Sequence, residues 1–144
     1  FNSSKVMRNA SANSTAVVGE NGTATVTATI FYDNDQDIDV NDTSSVTLDW
    51  VIIYESKNDS GETFTLTNGS SITVTSSMVQ GTQGGITTDG TSSLSWEADH
   101  LPWYGGNLPD VDPLFCASPS NLNICDDSQC IIFNPNEPGD IDIF

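Results

Sequence analysis

The clearest pattern in this chain is strict alternation. From Thr23 to Tyr32 (TATVTATIFY), Ala24, Val26, Ala28, Ile30 and Tyr32 fall on one side and Thr23, Thr25, Thr27 and Thr29 on the other. A period of two marks a half-buried β-strand. Val46 to Glu55 (VTLDWVIIYE) repeats the pattern with more apolar weight: Val46, Leu48, Trp50, Ile52 and Tyr54 share a face, and Val51 and Ile53 thicken the other. Shorter strands are expected at Thr15–Val18, Glu62–Thr67, Ser71–Ser76, Ile86–Thr87, Thr91–Ala98, Cys130–Phe133 and Asp140–Phe144. Turn chemistry separates them. Gly19-Glu20-Asn21-Gly22 and Lys57-Asn58-Asp59-Ser60-Gly61 read as turns, and Asn68-Gly69 suits a tight hairpin. Residues 33–43 read as an acidic loop. Residues 99–120, punctuated by Pro102, Pro109, Pro113 and Pro119, read as a long ordered loop.

No helical periodicity and no internal repeat is apparent. About seven to nine strands joined by short turns predict an all-β fold, an antiparallel β-sandwich that is Ig-like or jelly-roll-like. Residues 1–14 are polar and read as an extended N-terminal arm, with 15–144 as one sandwich domain.

Composition sharpens this picture. The 144 residues hold 20 Asp+Glu against 3 Lys+Arg, a formal charge of −17. Lys5, Arg8 and Lys57 cannot neutralise a run of phosphates, which excludes nucleic acid and anionic membrane as partners. No apolar run has the ~20 residues of a membrane helix. The acid excess is mostly Asp, which favours turns and loops. A strongly negative surface suits a salty or cation-rich medium.

Seven of the 13 Asn begin an Asn-x-Ser/Thr sequon: Asn2, Asn9, Asn13, Asn21, Asn41, Asn58 and Asn68, all in the N-terminal half. They are candidate N-glycosylation sites of an extracellular chain, and the opening Phe1-Asn2-Ser3-Ser4 fits a terminus left by signal-peptide removal. In that setting Cys125–Cys130 is the first disulfide expected, with Cys116–Cys125 as the alternative.

Asp33, Asp35, Asp37 and Asp39 alternate as candidate Ca²⁺ ligands. The loop departs from an EF-hand, with Ile38 at the glycine position and Ser44 where the bidentate Glu belongs. The alternative is a solvated acidic turn. Trp103 and Tyr104 are candidate sugar-stacking rings, beside the alternative that they pack over an end of the fold. Catalysis is not expected. His100 is the lone His, adjacent Asp99 would diverge from it on a strand, and no nucleophile or phosphate-loop motif occurs.

The sequons, TATVTATIFY and VTLDWVIIYE, together with the scarcity of Lys, resemble the style of archaeal extracellular filament and surface-layer subunits. The chain does not resemble a type IV pilin, which opens with a long apolar helix. The resemblance implies an N-glycosylated structural subunit of a cell-surface, pilus-like filament. Such subunits polymerise with copies of themselves by β-strand addition; in this chain the arm with Val6 and Met7, or Ala16-Val17-Val18, is the candidate donor, the alternative being that both ends pair within their own sandwich. The alternatives are a secreted carbohydrate-binding or adhesive module, and a virion surface protein.

Overall fold

A computed structural model describes residues 5–7, 15–34, 36–55, 64–98, 106–117, 121–124, 128, 131–133 and 141–143. The strands run β1 (Lys5–Met7), β2 (Thr15–Glu20), β3 (Thr23–Tyr32), β4 (Gln36–Asn41), β5 (Ser45–Tyr54), β6 (Phe64–Leu66), β7 (Ser71–Thr75), β8 (Met78–Val79), β9 (Ile86–Thr88), β10 (Ser93–Trp96), β11 (Phe115–Ala117), β12 (Asn121–Ile124), β13 (Ile131–Phe133) and β14 (Ile141–Ile143). A 3₁₀ turn, Thr82–Gly85, precedes β9.

The strands of the two main sheets are parallel, which overturns the antiparallel sandwich. One sheet orders β1-β3-β5-β7-β10, with β8 also on β5; the other orders β2-β4-β6-β9. The chain alternates between them, so each turn adds one strand to each sheet. This is a parallel β-solenoid, whose coils meet only their neighbours. Among the described residues antiparallel pairing is confined to two small ribbons after the solenoid, β11 with β12 and β13 with β14.

Stacking also exposes an internal repeat. Thr23, Ser45, Ser71 and Ser93 lie in one row, 22, 26 and 22 residues apart. The recurring string is Ser-Ser-aliphatic-Thr/Ser-apolar: Ser44-Ser45-Val46-Thr47-Leu48, Ser70-Ser71-Ile72-Thr73-Val74 and Ser92-Ser93-Leu94-Ser95-Trp96. The longer coil carries its extra residues between Tyr54 and Phe64.

Left-handed backbone makes the corners, and these also stack. Ala28, Trp50 and Ser76 have φ of 48°, 58° and 46°; Asp33, Glu55 and Gly81 have 55°, 55° and 80°; Asp42, Asn68 and Gly90 have 50°, 57° and 82°. At Gly81 a side chain would be crowded as well as strained, since a Cβ there would meet the Gly85 Cα at 3.1 Å.

The row at Ala28, Trp50 and Ser76 explains a second correction. A single left-handed residue between extended stretches inverts which parity points inward. Ala24 and Val26 face the interior before the bend; after it Phe31 does, while Ile30 and Tyr32 face outward. The same inversion sends Val51 and Ile53 inward and Ile52 outward, so the two faces read along an unbroken strand are each split at the bend.

The interior is a set of apolar stacks. Val26, Leu48, Val74 and Trp96 form one, Ala24, Val46, Ile72 and Leu94 another. Ile38, Phe64 and Ile86 rise from the facing sheet, as do Val40 and Leu66. Phe64, Leu48 and Ile38 are fully buried, and each such side chain contributes roughly 1.5–3 kcal/mol by leaving water. The expected acidic loop at 33–43 therefore contains β4, because Ile38 and Val40 alternate with its acids and fill the core. Asn68-Gly69 is a corner between strands of different sheets and not a hairpin, since β6 and β7 do not pair.

Where the solenoid winding stops, Asn107 replaces backbone. Its buried amide accepts from the Ser77 N–H at 3.0 Å and donates to Val74 O and Glu97 O at 2.9 Å each. The adjoining Leu108 N–H donates to Ser77 O at 2.8 Å.

Candidate functional site

Two surfaces emerge from this frame. The first is the outer side of the segments before the Ala28–Trp50–Ser76 bend. Inward parity is taken by the apolar stacks, so the other parity must face out. Its rows are Thr23, Ser45, Ser71, Ser93; then Thr25, Thr47, Thr73, Ser95; then Thr27, Asp49, Thr75. Strand geometry sets these side chains about 4.8 Å apart along a row and roughly 6.7 Å apart between rows. Asp49 is the one charged group in the three rows, and it accepts from the Thr75 hydroxyl at 3.0 Å. The face is an array of hydroxyls and methyls; a hydroxyl can donate once and accept twice, and the Thr75 proton is already committed to Asp49.

The corner beside this array is a polar ladder. The Asn68 N–H donates to Asp89 Oδ2 at 2.7 Å, and the Thr91 and Ser92 N–H groups donate to Asp89 Oδ1 at 2.9 and 3.0 Å. The Asn68 backbone donor first, then the Thr91 hydroxyl and amide, hold the Asp89 carboxyl well below the usual carboxylate range. The Asn68 amide donates to Asp42 Oδ1, and the Thr43 hydroxyl to Asn21 Oδ1. Ser70, buried beneath, donates to Val40 O at 2.9 Å.

The second surface lies past the bend, where Ile30, Tyr32, Ile52 and Met78 point outward. Residues 106–115 cross over them as a strap: Leu108, Val111 and Phe115 pack on this row, and Tyr32 meets Phe115 edge-to-face with centroids 5.3 Å apart. Beside that contact the strap leaves a cavity of about 270 Å³, lined by Tyr32, Tyr54, Glu55, Asp112, Leu114 and Phe115. Burial, then Asp112, Glu55 and Asp110, push the Tyr54 phenol up. Leu114 is 41% exposed.

Of the sequons, Asn21 and Asn68 are exposed at left-handed corners, while the Asn41 Oδ1 is buried without a hydrogen-bond partner. Asn2, Asn9, Asn13 and Asn58 lie outside the described residues. Of the Ca²⁺ candidates, Asp33 sits exposed at a corner, its N–H on Tyr54 O, and Asp39 lies inside β4. Burial and then Asp42 raise the Asp39 pKa. Asp35 and the side chain of Asp37 are outside the described set. Among the described residues no group of three or more His, Cys, Asp or Glu stands ready for a metal ion.

Trp103, Tyr104, Asp99, His100, Cys125 and Cys130 also lie outside it. Cys116 is placed only by its backbone, in β11. Arg8 and Lys57 are likewise outside it, while Lys5 opens β1, opposite Ile30. Among the described residues no helix is long and apolar enough to cross a membrane.

Comparison with protein-family models, curated proteins and solved structures finds no match. The two surfaces are the features of this fold that bear on function. Reading the sequence strand by strand missed both. The recurring Ser-Ser-aliphatic-Thr/Ser string would have revealed the first; the second depends on the strap, which no periodicity encodes.

Proposed function

We propose that this chain is a secreted, non-catalytic adhesive module whose hydroxyl array binds a neutral, extended polysaccharide. The observation that supports it is the array itself: three outward rows, in register over successive coils, with a single charge among them. A periodic polymer of hydroxyls can exchange hydrogen bonds with such a face at many points, and threonine methyls cover its apolar patches. Each contact is weak, and their number supplies avidity. A polyanion would be repelled by the −17 surface. This moves the sugar-binding reading from Trp103 and Tyr104 to the solenoid face.

The test is retention on insoluble neutral polysaccharides. Wild-type protein is expected to be retained, and Thr47→Arg/Thr73→Arg to flow through while still showing the wild-type circular dichroism spectrum. Wild-type protein that passes unretained over glucan, mannan and chitin matrices overturns the reading.

A second reading, a filament of identical glycosylated subunits at the cell surface, draws on a different observation. Leu94 and Trp96 carry the interior stacks into the last coil, yet both are only half-buried. Coil-on-coil stacking of copies would cover them and continue the backbone ladder. Light scattering and negative-stain images of concentrated protein decide this: rods support it, and monomers at every concentration exclude it.

A further inference from the structure

The cavity under the strap is independent of the hydroxyl array and lies on the other side of the bend. We propose that it is a binding site for a small organic cation, a substituted ammonium ion with an apolar body. Three aromatic rings and Leu114 supply apolar wall, Glu55 and Asp112 supply negative charge, and none of the lining residues is basic. Donors are scarce: the lining side chains offer only the two tyrosine hydroxyls, whereas ionised carboxylates only accept. A ligand here must bring positive charge or hydrogen-bond donors of its own. Aromatic faces attract cations through their quadrupole, most strongly where water is excluded. An anion is disfavoured twice, by the lining and by the −17 net charge.

The walls are held in place before any ligand arrives. Glu55 and Leu114 both adopt left-handed backbone, with φ of 55° and 51°. Non-glycine residues rarely stay there unless pinned, and such strain gathers at binding sites. Both are pinned: the Glu55 N–H donates to Gln80 Oε1 at 2.8 Å and the Leu114 N–H to Asp112 Oδ1 at 2.8 Å. Leu114 is thereby presented to solvent at the cavity mouth, where an alkylammonium would cover it. The volume, about 270 Å³, suits a headgroup-sized ligand and not a polymer.

The experiment uses choline as probe against its neutral isostere, in which a quaternary carbon replaces the nitrogen. Ligand-observed NMR on the whole chain is expected to show choline binding about threefold more tightly than the isostere, the size of one cation–π contact at a partly exposed site. Glu55→Gln is expected to weaken choline by a similar factor and leave the isostere unchanged; this variant keeps the backbone bond to Gln80. Tyr54→Leu is expected to weaken choline more than the isostere. Equal binding of the two probes would reduce the site to an apolar pocket and overturn the proposal, as would the absence of binding by either.

Discussion

At the scale of single residues, Asp89 does more than its exposure suggests. Its carboxylate gathers donors from two corners and so ties one coil to the next. Its pKa is depressed in the folded state, so the stability it contributes is present above the ordinary value of 3.8 and disappears as pH falls through the lower, folded value. Asp89→Asn should therefore be less stable than wild type in urea melts at pH near 7. The gap should shrink steadily once pH drops below about 4, where the carboxyl begins to protonate in the unfolded chain, and close only below the lower folded value. A gap that stays constant from neutral to strongly acid solution would show that the charge plays no part. Residue chemistry of this kind was only partly legible. Asn21 falls at a turn as expected and Asn68 turns a coil where a hairpin was expected, but the glycosylation motif and the corner motif share the same letters, Asn-Gly-Thr/Ser. Two exposed sequons thus have a structural reason to exist whether or not they carry sugar.

At the scale of elements, the bend at Ala28, Trp50 and Ser76 decides which side chains meet. Alternation located the strands well: Thr23–Tyr32 was expected and found whole, and Ser45–Tyr54 is shifted by one residue at each end from the expected Val46–Glu55. It could not show that each strand changes parity midway, because nothing in Ala28 or Trp50 favours left-handed backbone. The stacked neighbours impose it. An L-residue with a Cβ pays roughly 1–2 kcal/mol there, a cost glycine escapes. Ala28 has φ 48° and is exposed, so Ala28→Gly removes strain while losing little packing. The variant should be more stable by up to ~1 kcal/mol in chemical denaturation, after the entropy glycine loses on folding. A destabilised variant would mean that the bend is held by the alanine methyl.

At the scale of the whole molecule, charge and topology pull against each other. A solenoid stacks equivalent positions, so an acid in one coil can lie above an acid in the next, as Asp33 and Glu55 do in one corner row. With −17 overall, self-repulsion opposes folding unless it is screened. The melting temperature should rise as sodium chloride is raised toward 1 M, where the Debye length shrinks to about 3 Å. A flat response would show that the acids are already neutralised by their local donors. The sequence by itself determined that this chain is strand-rich and acidic, because alternation and net charge are local sums over residues. It also marked most strand positions. Tertiary structure alone decided that the main strands run parallel, that Asn68-Gly69 turns a coil where a hairpin was expected, and that residues 106–115 lie across Tyr32 and Tyr54. A period of two is the same for a strand paired with its sequence neighbour and for one paired a full coil away. Only the hydrogen-bond partners distinguish them, and those partners lie 22 to 26 residues apart in the chain.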